Sequence, residues 1–209
     1  MSTATHANEQ VKQELTQQLE SDHCIGAPDA RLVLLEYGDY ECPSCADAFP
    51  LTKHLVESFG DQIKFIFRHY PLTEVHPHAE LAAEAAEAAG AQGRFWEMHD
   101  LLFTNSTHLK MPALISYAEQ LELDMVRFQA EMQDRIYLQR VQDHRHSAEL
   151  LELRSTPAFF LNHQFIDVSF NLEHLEKAVF EAVNRSKNQG GNHDQPTASH
   201  YAVTRDQHQ

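Results

Sequence analysis

Cys42 and Cys45 stand two residues apart in Cys42-Pro43-Ser44-Cys45, directly after the strand-like run Arg31-Leu32-Val33-Leu34-Leu35-Glu36-Tyr37. On a helix, residues three apart are neighbours at roughly 5–6 Å between Cβ atoms, and a small adjustment at the helix start brings two cysteines within disulfide reach. Such a pair can cycle between dithiol and disulfide. Pro43 suits the first helical position, where its missing N–H removes no helix bond, and this places Cys42 at the N-cap. There the free amides and the helix dipole favour a negative charge, and cysteines so placed titrate at roughly 3.5–7.5 instead of ~8.5. Cys42 is therefore the expected nucleophile, and Cys45, one turn inside the helix, the expected resolving thiol.

Zinc sites use the same spacing, but zinc takes four ligands, usually from a second such pair. The chain has three cysteines, so only Cys24, beside His23, is left over. No metal and no other cofactor is expected. Cys24 reads as a small buried hydrophobe, and His76 and His78, either side of Pro77, as capping or surface groups. Trp96, with Phe95 and Phe103, reads as core.

With 209 residues, 42% of them hydrophobic, the chain can bury a core without disulfide support. It is expected to form one domain with a large insertion. A formal net charge of −15 repels phosphate backbones and anionic lipid, which excludes nucleic acid and membrane surfaces as expected partners. The first ten residues carry neither a basic stretch nor an apolar run, so a cytoplasmic location is expected.

Val11, Leu15 and Leu19 recur every four positions and predict an amphipathic helix over about Asn8 to Glu20. The spacing then predicts a strand over Arg31–Tyr37, a helix from Pro43 to about Phe59 ended by Gly60, and a strand over Ile63–His69. Strand, helix and strand make the βαβ unit of a parallel sheet. From His78 to about Leu153 the signals are helical. Ala158–Leu161 and Phe165–Val168 around Asn162-His163-Gln164 read as a hairpin, and Asn171 as the N-cap of a last helix. The boundaries expected are an N-terminal polar helix over 1–21, a core domain of 22–76 with 154–186, an inserted helical domain over 77–153, and a disordered tail over 187–209.

In Leu34-Leu35-Glu36-Tyr37-Gly38-Asp39-Tyr40-Glu41-Cys42-Pro43-Ser44-Cys45, His76-Pro77-His78-Ala79, Gly93-Arg94-Phe95-Trp96-Glu97-Met98-His99-Asp100 and Thr156-Pro157-Ala158-Phe159-Phe160, the chain resembles the DsbA-like branch of the thioredoxin superfamily. The resemblance covers about Asp22 to Val183. It implies an α/β thioredoxin fold, a central mixed sheet flanked by helices, with an inserted all-helical domain. It also implies that Pro157 is a cis-proline facing the cysteines, with Thr156 offering its backbone to an extended substrate beside Pro43 and Ser44.

Glu36 interrupts an apolar strand, where a buried carboxylate is costly unless protonated or partnered. The resemblance implies that it moves the proton of Cys45; a wet strand end or an arginine partner is the other possibility. Ser44 stands where strongly oxidising relatives have a histidine, so a less oxidising couple is expected, nearer the middle of the range from about −270 to −120 mV. Ser155 stands where a glycine is usual, and a narrower substrate groove is expected from it.

The expected activity is thiol–disulfide exchange with substrate proteins or small thiols such as glutathione. Two alternatives are a non-catalytic protein-binding or chaperone module on the same fold, and a glutathione-linked transferase or isomerase. Direction, electron partner and oligomeric state are not readable from these residues.

Overall fold

The computed structural model describes residues 2–169 and 171–190. The chain opens with α1 (Ser2–Thr16) and a short strand β1 (His23–Gly26), then β2 (Leu32–Gly38), α2 (Pro43–Phe59) and β3 (Ile63–His69). Five helices follow: α3 (Ala79–Gly90), α4 (Phe95–Thr104), α5 (Met111–Gln120), α6 (Met125–Gln133) and α7 (Leu138–Leu150). The hairpin strands β4 (Ala158–Leu161) and β5 (Gln164–Ile166) and the helix α8 (Glu173–Gly190) complete the described residues.

The strands form one mixed sheet in the order β1-β3-β2-β4-β5. β2 and β3 are parallel because α2 crosses between them. β4 runs antiparallel to β2, and β1 and β5 are antiparallel edges. Side chains alternate across a strand, and both faces of this sheet are covered. Leu34, Phe65, Phe67 and Phe159 join the large core that also holds Cys42, Cys45 and residues of α8, while Leu35, Tyr37, Ile66 and Phe160 pack the other face with Ala148 of α7. The same alternation sets Glu36, two residues from Leu34, on the face that carries the cysteines. Its register partners there are Phe67 and Phe159.

Several boundaries differ from the expected ones. α1 starts and ends earlier than Asn8–Glu20 because the chain after Thr16 turns down to β1. β1 was not expected: His-Cys-Ile-Gly is too short to show a period, and its place is set by pairing with β3. β5 begins one residue early, at Gln164, and ends at Ile166. Asn171 Oδ1 accepts the Glu173 amide at the start of α8, as a cap should. α8 then continues to Gly190, past Ser186, since Lys187, Asn188 and Gln189 carry nothing that stops a helix. The remainder of the expected tail lies outside the described residues.

The N-terminal segment is held by one buried cation. Arg68, from β3, pairs both terminal oxygens of Asp22, at 2.9 Å from Nε and 2.8 Å from Nη2. It also donates to the Leu15 and Gln17 carbonyls and the Tyr37 hydroxyl, at 2.6, 2.7 and 3.0 Å. Both side chains of this pair are essentially sealed from solvent.

Candidate functional site

The end of β2 feeds Asp39-Tyr40-Glu41 into the start of α2, and Cys42 occupies the N-cap with extended backbone (φ −77°, ψ 121°) and Pro43 following. The amides of Cys45 and Ala46 both reach the Cys42 carbonyl at 3.1 Å. All three cysteines are unbonded. The Cys42 thiol is buried except for a small opening, 7% exposed, whereas Cys45 is fully enclosed.

The two thiols are pushed in opposite directions. Cys42 is lowered to about 5, chiefly by the hydrogen bond from the Cys45 side chain. Burial opposes this, and the Thr156 contact and the Cys45 and Ser44 amides reinforce it. Cys45 is pushed well above the ordinary thiol range by burial first, then by its bond to Cys42 and the charge of Glu36. One sulfur is thus prepared to carry charge and the other to hold a proton.

Glu36 is buried beneath them, and its Oε1 has no hydrogen-bond partner. Burial, then the Cys42 charge, raises it to about 8. The arginine partner considered from sequence is absent, since Arg68 is committed to Asp22. A group raised in the folded state keeps its proton while the unfolded chain releases it, so stability falls as pH climbs from about 4.5 to about 8. Relative to Glu36→Gln, the reduced protein should lose roughly 3 kcal/mol between pH 4.5 and pH 7. Urea unfolding at both pH values checks this, and parallel curves would show Glu36 ionised when folded.

Opposite the cysteines, Thr156–Pro157 is a cis peptide bond at the start of β4. The Thr156 carbonyl accepts from the Cys42 thiol at 3.5 Å. Pro43 and Ser44 are exposed at the rim. Beside them lies a hollow of about 240 Å³ lined by Ser44, Asp47, Pro157, Val168, Ser169, Asn171 and Leu172. The structure therefore brings Cys42, Cys45, Glu36, Thr156, Pro157, Pro43 and Ser44 to one place. An apolar cavity of about 230 Å³ between α2 and α4, with Phe49, Phe65 and Trp96 in its wall, includes none of them. Trp96 is thus half core and half cavity wall.

Two carboxylates just before Cys42 escaped notice in the sequence. Asp39, buried, accepts the Glu41 amide at 2.8 Å, the Leu72 amide at 2.8 Å and His76 Nδ1 at 2.7 Å. Glu41 takes the His78 amide at 2.6 Å and its Nδ1 at 2.9 Å. His76 and His78 therefore clamp the loop before α3 onto the turn that presents Cys42. Their partners lie 37 residues away, so no local spacing could signal the pairing.

A second cluster is buried where the sheet meets the helical block. Glu87 of α3 bonds His23 and His69, each at 2.9 Å, and Arg140 Nε stands 3.0 Å from it, close enough to pair but not aligned as a hydrogen bond. Burial pushes His69 and His144 toward the neutral form, so Arg140 supplies the positive charge. Burial would raise Glu87, but the hydrogen bonds from His23 and His69 outweigh it and hold the carboxyl below its usual range. Donor atoms of His69, Glu87 and His144 lie within 4.8 Å of one another, yet Glu87 is already shared among these partners. Cys24 is half-buried on the edge strand and points its thiol at the Asp22 carbonyl.

Comparison with known proteins locates this arrangement. The family described as Thioredoxin matches residues 18–181. The chain belongs to the thioredoxin family. Its architecture is that of the DsbA-like members, with the helical block between β3 and β4. Solved structures with this fold include oxidised BdbD from Bacillus subtilis (TM-score 0.71, 19% identity, covering 80% of this chain and 95% of that one). Another is the thiol-disulfide exchange protein alpha-DsbA2 from Wolbachia pipientis (TM-score 0.73, 17% identity, 87% and 99%). At such identities the likeness speaks for the fold. A protein of Salinispora arenicola named Na(+)/H(+) antiporter NhaA 1 is 44% identical over 163 residues, which make up 78% of this thioredoxin-family chain and 25% of that protein. The chain spans about a quarter of the length of the curated relatives it matches. No described helix is long and apolar enough to cross a membrane.

Proposed function

We propose that this chain catalyses thiol–disulfide exchange through Cys42 and Cys45. One observation carries the reading: a thiol lowered to about 5 at the open end of α2, hydrogen-bonded to a buried second thiol and facing the Thr156–Pro157 backbone. In the reducing direction the Cys42 thiolate attacks one sulfur of a substrate disulfide. A mixed disulfide forms, and the other substrate sulfur leaves as thiolate and takes a proton from solvent. Cys45 then loses its proton, to Glu36 in the fraction of molecules whose Glu36 is ionised, attacks the Cys42 sulfur and expels the second substrate sulfur as a thiolate, which takes up a proton. Two protein thiols become one disulfide, and one substrate disulfide becomes two thiols. The oxidising direction is the same path reversed.

The split between the two thiols argues against a glutathione transferase, which needs one activated thiol and no buried partner donating to it. A module that merely binds has no use for a thiol lowered to about 5. The transport named for the antiporter relatives is not proposed for this chain, which matches about a quarter of their length.

The potential follows from the thiolate. A DsbA-type thiol near 3.5 accompanies about −120 mV and a thioredoxin-type thiol near 7 about −270 mV. With Cys42 at about 5 and Ser44 supplying no positive charge, the couple should fall near the middle of that interval. Equilibration against glutathione buffers measures the potential, and absorbance of the thiolate across pH measures Cys42. A potential at either extreme, or a Cys42 midpoint near 8, contradicts the assignment.

A further inference from the structure

The substrate-side hollow has a charge of its own. Its lining holds one ionisable side chain, the exposed carboxylate of Asp47, and no lysine, arginine or histidine. Ser44 and Asp47 are three apart on α2 and share a face, so the carboxylate stands one turn along from the exposed rim of the cysteine pair. The rest of the lining, Pro157, Val168, Ser169, Asn171 and Leu172, offers only neutral surface.

Of the charges that flank the lining in sequence, the exposed acids Asp167 and Glu173 share the sign of Asp47, and the exposed His174 places its Nδ1 3.2 Å from the Asp167 carbonyl. Glu41, adjacent to Cys42, is taken up by His78, and Asp39 by His76. Arg145 is engaged by Glu74 and Glu149. Arg154, two residues before Thr156, is exposed and lies outside the hollow's lining. The whole chain carries −15, which adds a long-range field of the same sign.

We infer that the exchange site selects cationic disulfides and thiols, peptides with a lysine or arginine beside the reacting cysteine, over anionic ones such as glutathione, with Asp47 as the residue that sets the preference. This rests on the exchange reading above. Cystamine illustrates the step: Cys42 thiolate bonds to one cystamine sulfur, and one cysteamine leaves. Cys45 then bonds to Cys42, and the second cysteamine leaves. Each half carries one positive charge next to the scissile bond, whereas each half of oxidised glutathione carries a net negative charge.

Three disulfides test this on the full reduced chain at low salt: cystamine, oxidised glutathione and neutral bis(2-hydroxyethyl) disulfide. Each rate is normalised to that of free 2-mercaptoethanol with the same disulfide. The expected cystamine-to-glutathione ratio is at least about tenfold, and high salt should compress it. Asp47→Asn should lower the ratio about fivefold and Asp47→Lys further, the order expected for one charge acting on halves that differ by two charges. Glu119→Gln, an equal change in net charge on the exposed surface of α5, should leave the ratio within about twofold.

A ratio unmoved by Asp47→Asn, or moved equally by Glu119→Gln, overturns the role of Asp47. In either case, exchange with the neutral disulfide keeps the oxidoreductase reading intact. Absence of exchange with all three disulfides would instead remove that reading itself.

Discussion

Cys42→Ser is expected to abolish disulfide exchange, by a factor on the order of 10³ or more, because a hydroxyl at this position supplies no thiolate to attack. Cys45→Ser has a different signature. The first attack still occurs, but nothing displaces the substrate, so a mixed disulfide on Cys42 accumulates and turnover stops. Mass spectrometry after incubation with a small disulfide separates the cases: no adduct for the first variant, one stoichiometric adduct on Cys42 for the second. Retention of exchange by Cys42→Ser would instead favour a protein that only holds its partners. The lack of an adduct in Cys42→Ser also reports on the buried thiol, since Cys45 is enclosed and becomes reachable only through the sulfur above it.

Arg68→Ala should cost about 3–5 kcal/mol of stability, because it breaks an enclosed ion pair and leaves the Asp22 carboxyl with no counter-charge. Three further acceptors, the Leu15 and Gln17 carbonyls and the Tyr37 oxygen, lose the same donor. The effect should be nearly independent of salt, since both partners are shielded from solvent. Urea midpoints at low and high ionic strength measure it. A loss below about 1 kcal/mol would mean that the N-terminal segment is not held through this ion pair. Amide exchange across α1 gives the local readout, with faster exchange expected there than in β2 or β3.

The parts of this site that sequence made legible are those written in short, regular patterns. Val33 to Tyr37 reads as a strand because apolar β-formers fill it, and Pro43 and Gly60 bracket α2 by well-understood end chemistry. Those signals place Cys42 at a helix start, and the chemistry follows from that position. Glu36 was visible as a carboxylate in an apolar run, but which face it took depended on the register with Phe67 and Phe159. What stayed hidden depends on distant pairing. β1 exists because β3 offers it an edge. Asp39 and Glu41 gain their roles from His76 and His78, and Asp47 gains its meaning only when the loop at 168–172 is brought opposite it. The cis bond before Pro157 came from family resemblance, since the local residues alone also allow an ordinary trans turn.

Glu87 has one more consequence. A single carboxylate answers at once to the edge strand through His23, to the end of β3 through His69 and to α7 through Arg140. Elements fastened to a common point cannot swing against one another without breaking that fastening deep inside the molecule. Movement of the helical block against the sheet at this point would strip a buried carboxylate of its partners, and that penalty ties the two parts together.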